Sequence, residues 1–303
     1  MNTTQFNDKV CLVTGASSGI GKALSQKLNN MGAIVILTAR NRENLEIVKA
    51  ECKHPDKIRI LPFDMEEIKT IESFAHEAWN LFQKIDFVFL NAGMAIRDMV
   101  HLTDLEIVYK VMNINFFSYV ALSKAVLPYM REKKHGCFIV TSSLCGKFGV
   151  PKLSAYSASK HALHGFFESL RAEYEPDGIK VTMITAGLVK TDITVHALKG
   201  NGNIDGKMQT SVAGGISAEV CANEIVQAVA AGKYEALIGG IEKYSVLVKR
   251  FFPGLLRMVI SKHPMKKLRS AGLLPNQTIS VTGSNNFHRT QIQAVADFVP
   301  VVR

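Results

Sequence analysis

Short runs of contiguous apolar residues recur along the chain, separated by longer stretches in which apolar positions return every three or four residues. The runs are KVCLVT (9–14), AIVILT (33–38), KIRILP (57–62), DFVFLN (86–91), GCFIVTS (136–142), IKVTMIT (179–185) and EALIGG (235–240). Helical periodicity covers 19–31, 42–53, 66–83, 104–133, 155–175 and 217–231. The runs are nearly continuous in apolar residues instead of alternating, as expected of strands buried on both faces. Strand–helix alternation of this kind predicts right-handed crossovers and a doubly wound parallel α/β sheet of about seven strands, with helices on both faces. Residues 199–216, rich in Gly, Asn and Ser, read as a mobile loop. The pattern divides the chain into a sheet domain over 1–240, an extension over 241–275 and a loosely ordered tail over 276–303.

Composition narrows the class. Apolar residues make up 47% and charged residues 20% of 303, enough for a large core and too few charges for general disorder. Cys11, Cys52, Cys137, Cys145 and Cys221 form no CxxC and no His/Cys cluster, so a reduced, cytoplasmic protein is the simpler expectation. No run of about 18 uncharged apolar residues marks a membrane span. The net charge of +10 comes mostly from one segment: residues 242–269 hold eight Lys/Arg and a single acid, Glu242. That clustering argues against a nucleic-acid-binding face. Leu247, Phe251, Phe252, Leu255, Leu256, Val259 and Ile260 are interleaved with those cations, and Pro253-Gly254 splits the segment into two helical pieces. Such a segment suits peripheral membrane contact, a pocket cap or a dimer contact. The Asn-Gln-Thr sequon at 276–278 has no secretion signal beside it and is set aside.

The first strand runs directly into TGASSGIG, which opens a helix. In that setting a glycine pattern points to a dinucleotide. Gly15 permits a tight turn, Gly19 clears space for a pyrophosphate, and Gly21 lets helix and strand approach. The helix N-terminus supplies free N–H groups and positive dipole. Gly15, Ser17, Ser18, Gly19, Ile20 and Gly21 are therefore the candidate phosphate-binding residues, and the sheet is of Rossmann type. The second strand ends at Thr38-Ala39-Arg40, with Ala39 where an acid would grip the adenosine ribose. Arg40, followed by Asn41, suits a ribose 2′-phosphate, which predicts NADP(H) in preference to NAD(H).

Tyr156 and Lys160 stand four residues apart in SAYSASK, one helical turn from each other among small residues. Alone the spacing is weak, and a surface contact explains it equally well. With the other motifs, the chain resembles the short-chain dehydrogenase/reductases over roughly residues 8–240. TGASSGIG is similar to the family's cofactor turn, Asn91-Ala92-Gly93 to its sheet-stabilising motif, and Asn115 in MNINFFS to its catalytic asparagine. Ser143 of the Ser142-Ser143 pair and YSASK complete the series in family order. LTARNRENL and SSLCGKFGVPKLSAYSASKHAL are most similar to the branch of 11β-hydroxysteroid-dehydrogenase-like, membrane-associated reductases.

The resemblance implies hydride transfer between NADP(H) and a carbonyl or alcohol. Tyr156 would be the general acid/base, its phenol made acidic by the Lys160 ammonium. Lys160 would also bind the nicotinamide ribose, Ser143 would orient the substrate oxygen, and Asn115 would hold a water in a proton relay. Asp64 and Met65, after the third strand, match the family's adenine-contacting pair, although Asp64 also reads as a helix N-cap. Gly187, Val189 and Thr191 match its nicotinamide-proximal turn, with Ala186 where the family usually has proline. The resemblance further implies a homodimer or homotetramer. Leu144, Val150, Leu153, Leu188 and the 192–216 loop would line an apolar substrate pocket. Two rival readings remain: a catalytically silent dinucleotide-binding sensor or scaffold, and an epimerase of the same fold. His161 and His164 read as packing or surface residues, not metal ligands.

Overall fold

The computed structural model describes residues 5–270. The tail expected over 276–303, with its sequon, lies outside the described residues, as do positions 271–275. All seven apolar runs become strands: β1 (Val10–Thr14), β2 (Ile34–Thr38), β3 (Ile58–Ile60), β4 (Phe87–Leu90), β5 (Gly136–Ser143), β6 (Ile179–Ala186) and, last in the sheet, Glu235–Ile238. We label that last strand β9, because two short pieces absent from the sequence reading precede it: β7 (Val189–Lys190) and β8 (Ile216–Ser217). The main sheet has the order β3-β2-β1-β4-β5-β6-β9, and every pairing is parallel. The order reverses between β1 and β4, which opens a crevice beyond the strands' C-terminal ends.

Two hydrophobic cores sandwich the sheet. On one face α1 (Gly19–Asn30), α2 (Arg42–Ala50) and α8 (Ala218–Ala230) bury Leu24, Leu28, Leu45 and Ile225 against Cys11 and Val13. On the other, α3 (Ile71–Asn80), α5 (Ser118–Glu132) and α6 (Ser154–Tyr174) bury Phe74, Tyr119, Leu122 and Phe167 against Val10 and Leu12. Alternate residues of β1 thus serve opposite cores, which is why its sequence is apolar at nearly every position. Each fully buried Leu or Phe contributes about 1.5–3 kcal/mol.

Three details differ from the sequence reading. The helical stretch 104–133 is broken by a π turn at Asn113–Phe117, between α4 (Leu105–Met112) and α5. Residues 199–216 are hydrogen-bonded, not featureless. Lys199 N donates to Asn203 O at 2.7 Å, Asp104 N donates to Gly200 O at 3.0 Å, and α7 (Thr210–Ala213) forms a short helix. The extension folds as a 3-10 turn (Ile241–Tyr244), α9 (Ser245–Phe251) and α10 (Pro253–Ser270), with Pro253 at the break. It starts at the C-terminal end of β9, on the crevice side of the sheet.

Candidate active site

The glycine turn is built as a cradle. Gly15 has φ +65°, and a Cβ there would lie 2.8 Å from Ala92 Cα. A Cβ on Gly21 would sit 2.1 Å from Gly15 O and 2.8 Å from Asn91 Nδ2. Gly19, at φ +52°, faces Thr191, whose Cγ2 would be 3.1 Å from an added Cβ. The loop after β1 therefore packs against both the Asn91–Gly93 loop and the turn after β6. Ser18 is the N-cap of α1, exposed, and its hydroxyl makes no capping bond. Ser17 and Ile20 are partly exposed beside it. This open helix N-terminus, free of side chains at three positions, fits a pyrophosphate.

Asn91 ties three strands together. Its Nδ2 donates to Thr14 O at 3.2 Å, and its Oδ1 accepts from Thr141 Oγ1 at 3.4 Å. Thr14 Oγ1 in turn accepts from the N–H groups of Asn91 (2.9 Å) and Ala92 (3.0 Å). At the end of β2, Arg40 is exposed and no carboxylate pairs with it among the described residues. Asn41 has its Oδ1 occupied as the N-cap of α2, accepting from Asn44 N at 3.0 Å. Asp64 Oδ1 accepts from Glu66 N at 3.0 Å, a tight turn and not the helix N-cap weighed from sequence. Met65 is buried in the core.

The catalytic candidates converge from three elements. Ser143 ends β5; its Oγ accepts from Cys145 N at 3.2 Å. Tyr156 and Lys160 lie in the first two turns of α6, with Lys160 4% exposed. The Lys160 ammonium donates to Thr141 O at 2.8 Å. It sits 5.8 Å from the centre of the Tyr156 ring and 5.5 Å from that of Tyr119. Gly93 closes the gap: a Cβ there would be 3.2 Å from Asn115 Oδ1 and 3.8 Å from Lys160 Nζ.

Electrostatics correct one expectation. Lys160 does not make the Tyr156 phenol acidic. Desolvation pushes that phenol well above 10, the charge of Cys145 adds to the rise, and a hydrogen bond from Ser143 opposes it. The reason is that the ammonium is buried too. Desolvation lowers Lys160 from 10.5 to about 8, and its closest contact is a carbonyl oxygen on β5. Burial disfavours the charged form of each group.

Asn115 sits in the π turn, a distortion common at functional sites. Its Nδ2 donates to Met94 O (2.9 Å) and Ser159 Oγ (3.1 Å), while its Oδ1 accepts from Met94 N (2.9 Å). Both amide hydrogens are spent, so one lone pair on Oδ1 is the only side-chain position left for a relay water. Ser142 Oγ lies 3.1 Å from His164 Nε2 and donates to Lys160 O at 3.3 Å. His164 Nδ1 lies 3.2 Å from Lys147 Nζ. His164 is thus a buried brace between β5 and α6. Thr14, Tyr119, Thr141 and Ser159 support the site as well. No motif announces them; only their distances do. Tyr119 Oη, for instance, donates to Ala92 O at 2.7 Å.

Comparison with known proteins supplies the family. The family model for short chain dehydrogenases matches residues 9–201. The chain is 36% identical over 277 residues to dehydrogenase/reductase SDR family protein 7-like of Anopheles gambiae, covering 89% of this chain and 87% of that protein. It is 35% identical over 271 residues to dehydrogenase/reductase SDR family member 7B of Mus musculus, with 88% and 84% covered. Among solved structures, a short-chain dehydrogenase from Streptomyces avermitilis superposes with a TM-score of 0.72 at 27% identity, over 88% of this chain and 98% of its own. On its fold, its motifs and these matches, the chain belongs to the short-chain dehydrogenase/reductase family and is one of its oxidoreductases.

Proposed function

We propose that the protein is an NADP(H)-dependent oxidoreductase acting on a carbonyl or alcohol of a hydrophobic substrate, with Tyr156 as general acid/base. The observation that carries this reading is the convergence of Ser143, Tyr156 and Lys160 beside the glycine cradle. Bound coenzyme would supply or accept the hydride. Ser143 would hydrogen-bond the substrate oxygen, and Tyr156 Oη would give that oxygen a proton as it becomes an alcohol. Lys160, on the same helix face, would hold the nicotinamide ribose. Because desolvation keeps the phenol neutral at pH 7, reduction is the direction these residues support best.

Arg40 supports NADP over NAD. It stands exposed one residue beyond Ala39, the position at which an acid would select the unphosphorylated ribose, and a guanidinium can hold a phosphate through two parallel hydrogen bonds. A screen of apolar ketones, aldehydes and alcohols, following coenzyme absorbance with NADPH and NADH in parallel, tests the reading. Tyr156→Phe should lower turnover about 10²–10⁴-fold with NADPH binding retained. Turnover near that of the unsubstituted protein would refute the assignment.

The extension bears on where the enzyme works. No helix among the described residues is long and apolar enough to cross a membrane. Tyr244, Leu247, Phe251 and Phe252 are nonetheless exposed beside Lys243, Arg250 and Arg257. The single acid of the segment, Glu242, is buried. This surface supports peripheral attachment to an anionic bilayer near the crevice, which suits a lipid-like substrate. Phe251→Ser with Phe252→Ser should abolish flotation of the full chain with anionic vesicles; unchanged flotation would exclude attachment through this face. Exposed Leu105, Tyr109 and Phe117 on α4 and the adjoining π turn support a homodimer or homotetramer, which light scattering would detect.

A further inference from the structure

In sequence Glu242 is the single acid in a basic segment. In the fold it is 9% exposed, and its carboxylate fills a hole between two turns. Oε1 accepts from Leu188 N at 2.9 Å and from Gly240 N at 2.9 Å. Glycines surround it. An added Cβ would come within 2.4 Å of Oε1 at Gly187, 2.6 Å of Oε1 at Gly239, and 2.7 Å of Oε2 at Gly240. No Lys, Arg or His pairs with Glu242 among the described residues, so the charge is met by backbone N–H groups. Burying a carboxylate is costly unless its acceptor positions are filled, and a site carved from three glycines for that purpose is a specific arrangement.

The turn that Glu242 grips has a second face. Gly187 and Leu188 lead into Val189 and Thr191, and Thr191 abuts Gly19 of the phosphate cradle. Gly187 N also donates to Ile238 O at 2.7 Å, so the post-β6 and post-β9 turns are joined twice. This is the turn that lacks the family's usual proline. We propose that Glu242 is a positioning residue that sets the 187–191 turn against the nicotinamide half of the coenzyme, doing through hydrogen bonds what a proline would do through a fixed φ. The inference rests on the coenzyme reading above.

The test measures binding to the full chain. Dissociation constants for NADPH, and for 2′,5′-ADP, which carries no nicotinamide, are compared among the unsubstituted protein, Glu242→Ala, Glu242→Gln and Glu242→Asp. Glu242→Ala should bind NADPH about tenfold more weakly, the factor for one net hydrogen bond to a charged group, with 2′,5′-ADP unchanged. Glu242→Gln retains an Oε1 acceptor and should stay within about threefold. Glu242→Asp withdraws the carboxylate by one methylene and should show the same selective loss, which covers the case that the alanine variant does not fold. NADPH affinity unchanged in Glu242→Ala or Glu242→Asp would overturn the proposal. So would parallel loss of both ligands, the mark of a general packing role. Failure of the coenzyme reading would appear separately, as no NADPH binding by the unsubstituted chain.

Discussion

Replacing Lys160 with Met should stabilise the protein at neutral pH while destroying its activity. Burial lowers the ammonium from 10.5 to about 8, so below pH 8 the folded state carries a charge that it holds poorly. At 1.36 kcal/mol for each pH unit, that gap costs the native state about 3 kcal/mol at pH 7. Methionine, unbranched like lysine and one atom shorter, removes the cost. The substitution also removes the ammonium's hydrogen bond to Thr141 O and its attraction to the Tyr119 and Tyr156 rings, which offsets about 1–2 kcal/mol of that gain. The net stabilisation should be about 1–2 kcal/mol, a rise in Tm of about 2–6 °C. The pH dependence has a definite sign. A lysine with a depressed folded pKa stabilises the native state fully only above its unfolded value, 10.5, and that contribution vanishes as pH falls through about 8. The advantage of Lys160→Met should therefore be greatest at pH 7 and shrink at pH 9.5. Urea unfolding at both pH values measures it. A variant less stable than its parent at pH 7, or an advantage that does not shrink with pH, would refute the desolvation account.

Three further outcomes follow from the same geometry. Arg40→Ala should raise the KM for NADPH about tenfold or more and leave that for NADH within about twofold, read from steady-state rates with each coenzyme. Reductive turnover should decline above about pH 8 as Lys160 loses its proton, whereas oxidation should climb through pH 9–10 because desolvation keeps Tyr156 protonated; an oxidative rate already level at pH 6 would contradict the phenol's environment. Gly21→Ala places a Cβ 2.1 Å from Gly15 O, so the turn must shift. It should cost about 1–3 kcal/mol of stability in denaturant titration and abolish measurable NADPH binding.

Much of this protein is written locally. The seven strands could be read because each is a run of mostly apolar residues, and contiguous apolarity needs no knowledge of what lies across the sheet. The glycine cradle could be read because positive φ and close approach demand the same residue wherever they occur. Helical spacing put Tyr156 and Lys160 one turn apart, and the family resemblance set Ser143 beside them. What spacing could not supply was the balance of energies among them. Tyr156 and Lys160 stand one helical turn apart in sequence, yet whether the phenol becomes acidic depends on how much water the fold removes from both groups. Tyr119, Thr141 and Cys145, brought in from other elements, stand around the pair. Glu242 shows the same limit: its partner Leu188 lies 54 residues away, and the lone acid of a basic segment becomes the plug of the turn beside the cradle. Patterns of burial and backbone freedom are properties of neighbouring residues, and the chain alone determined them; charge states and long-range hydrogen bonds are properties of an assembled environment, and only the tertiary structure decided those.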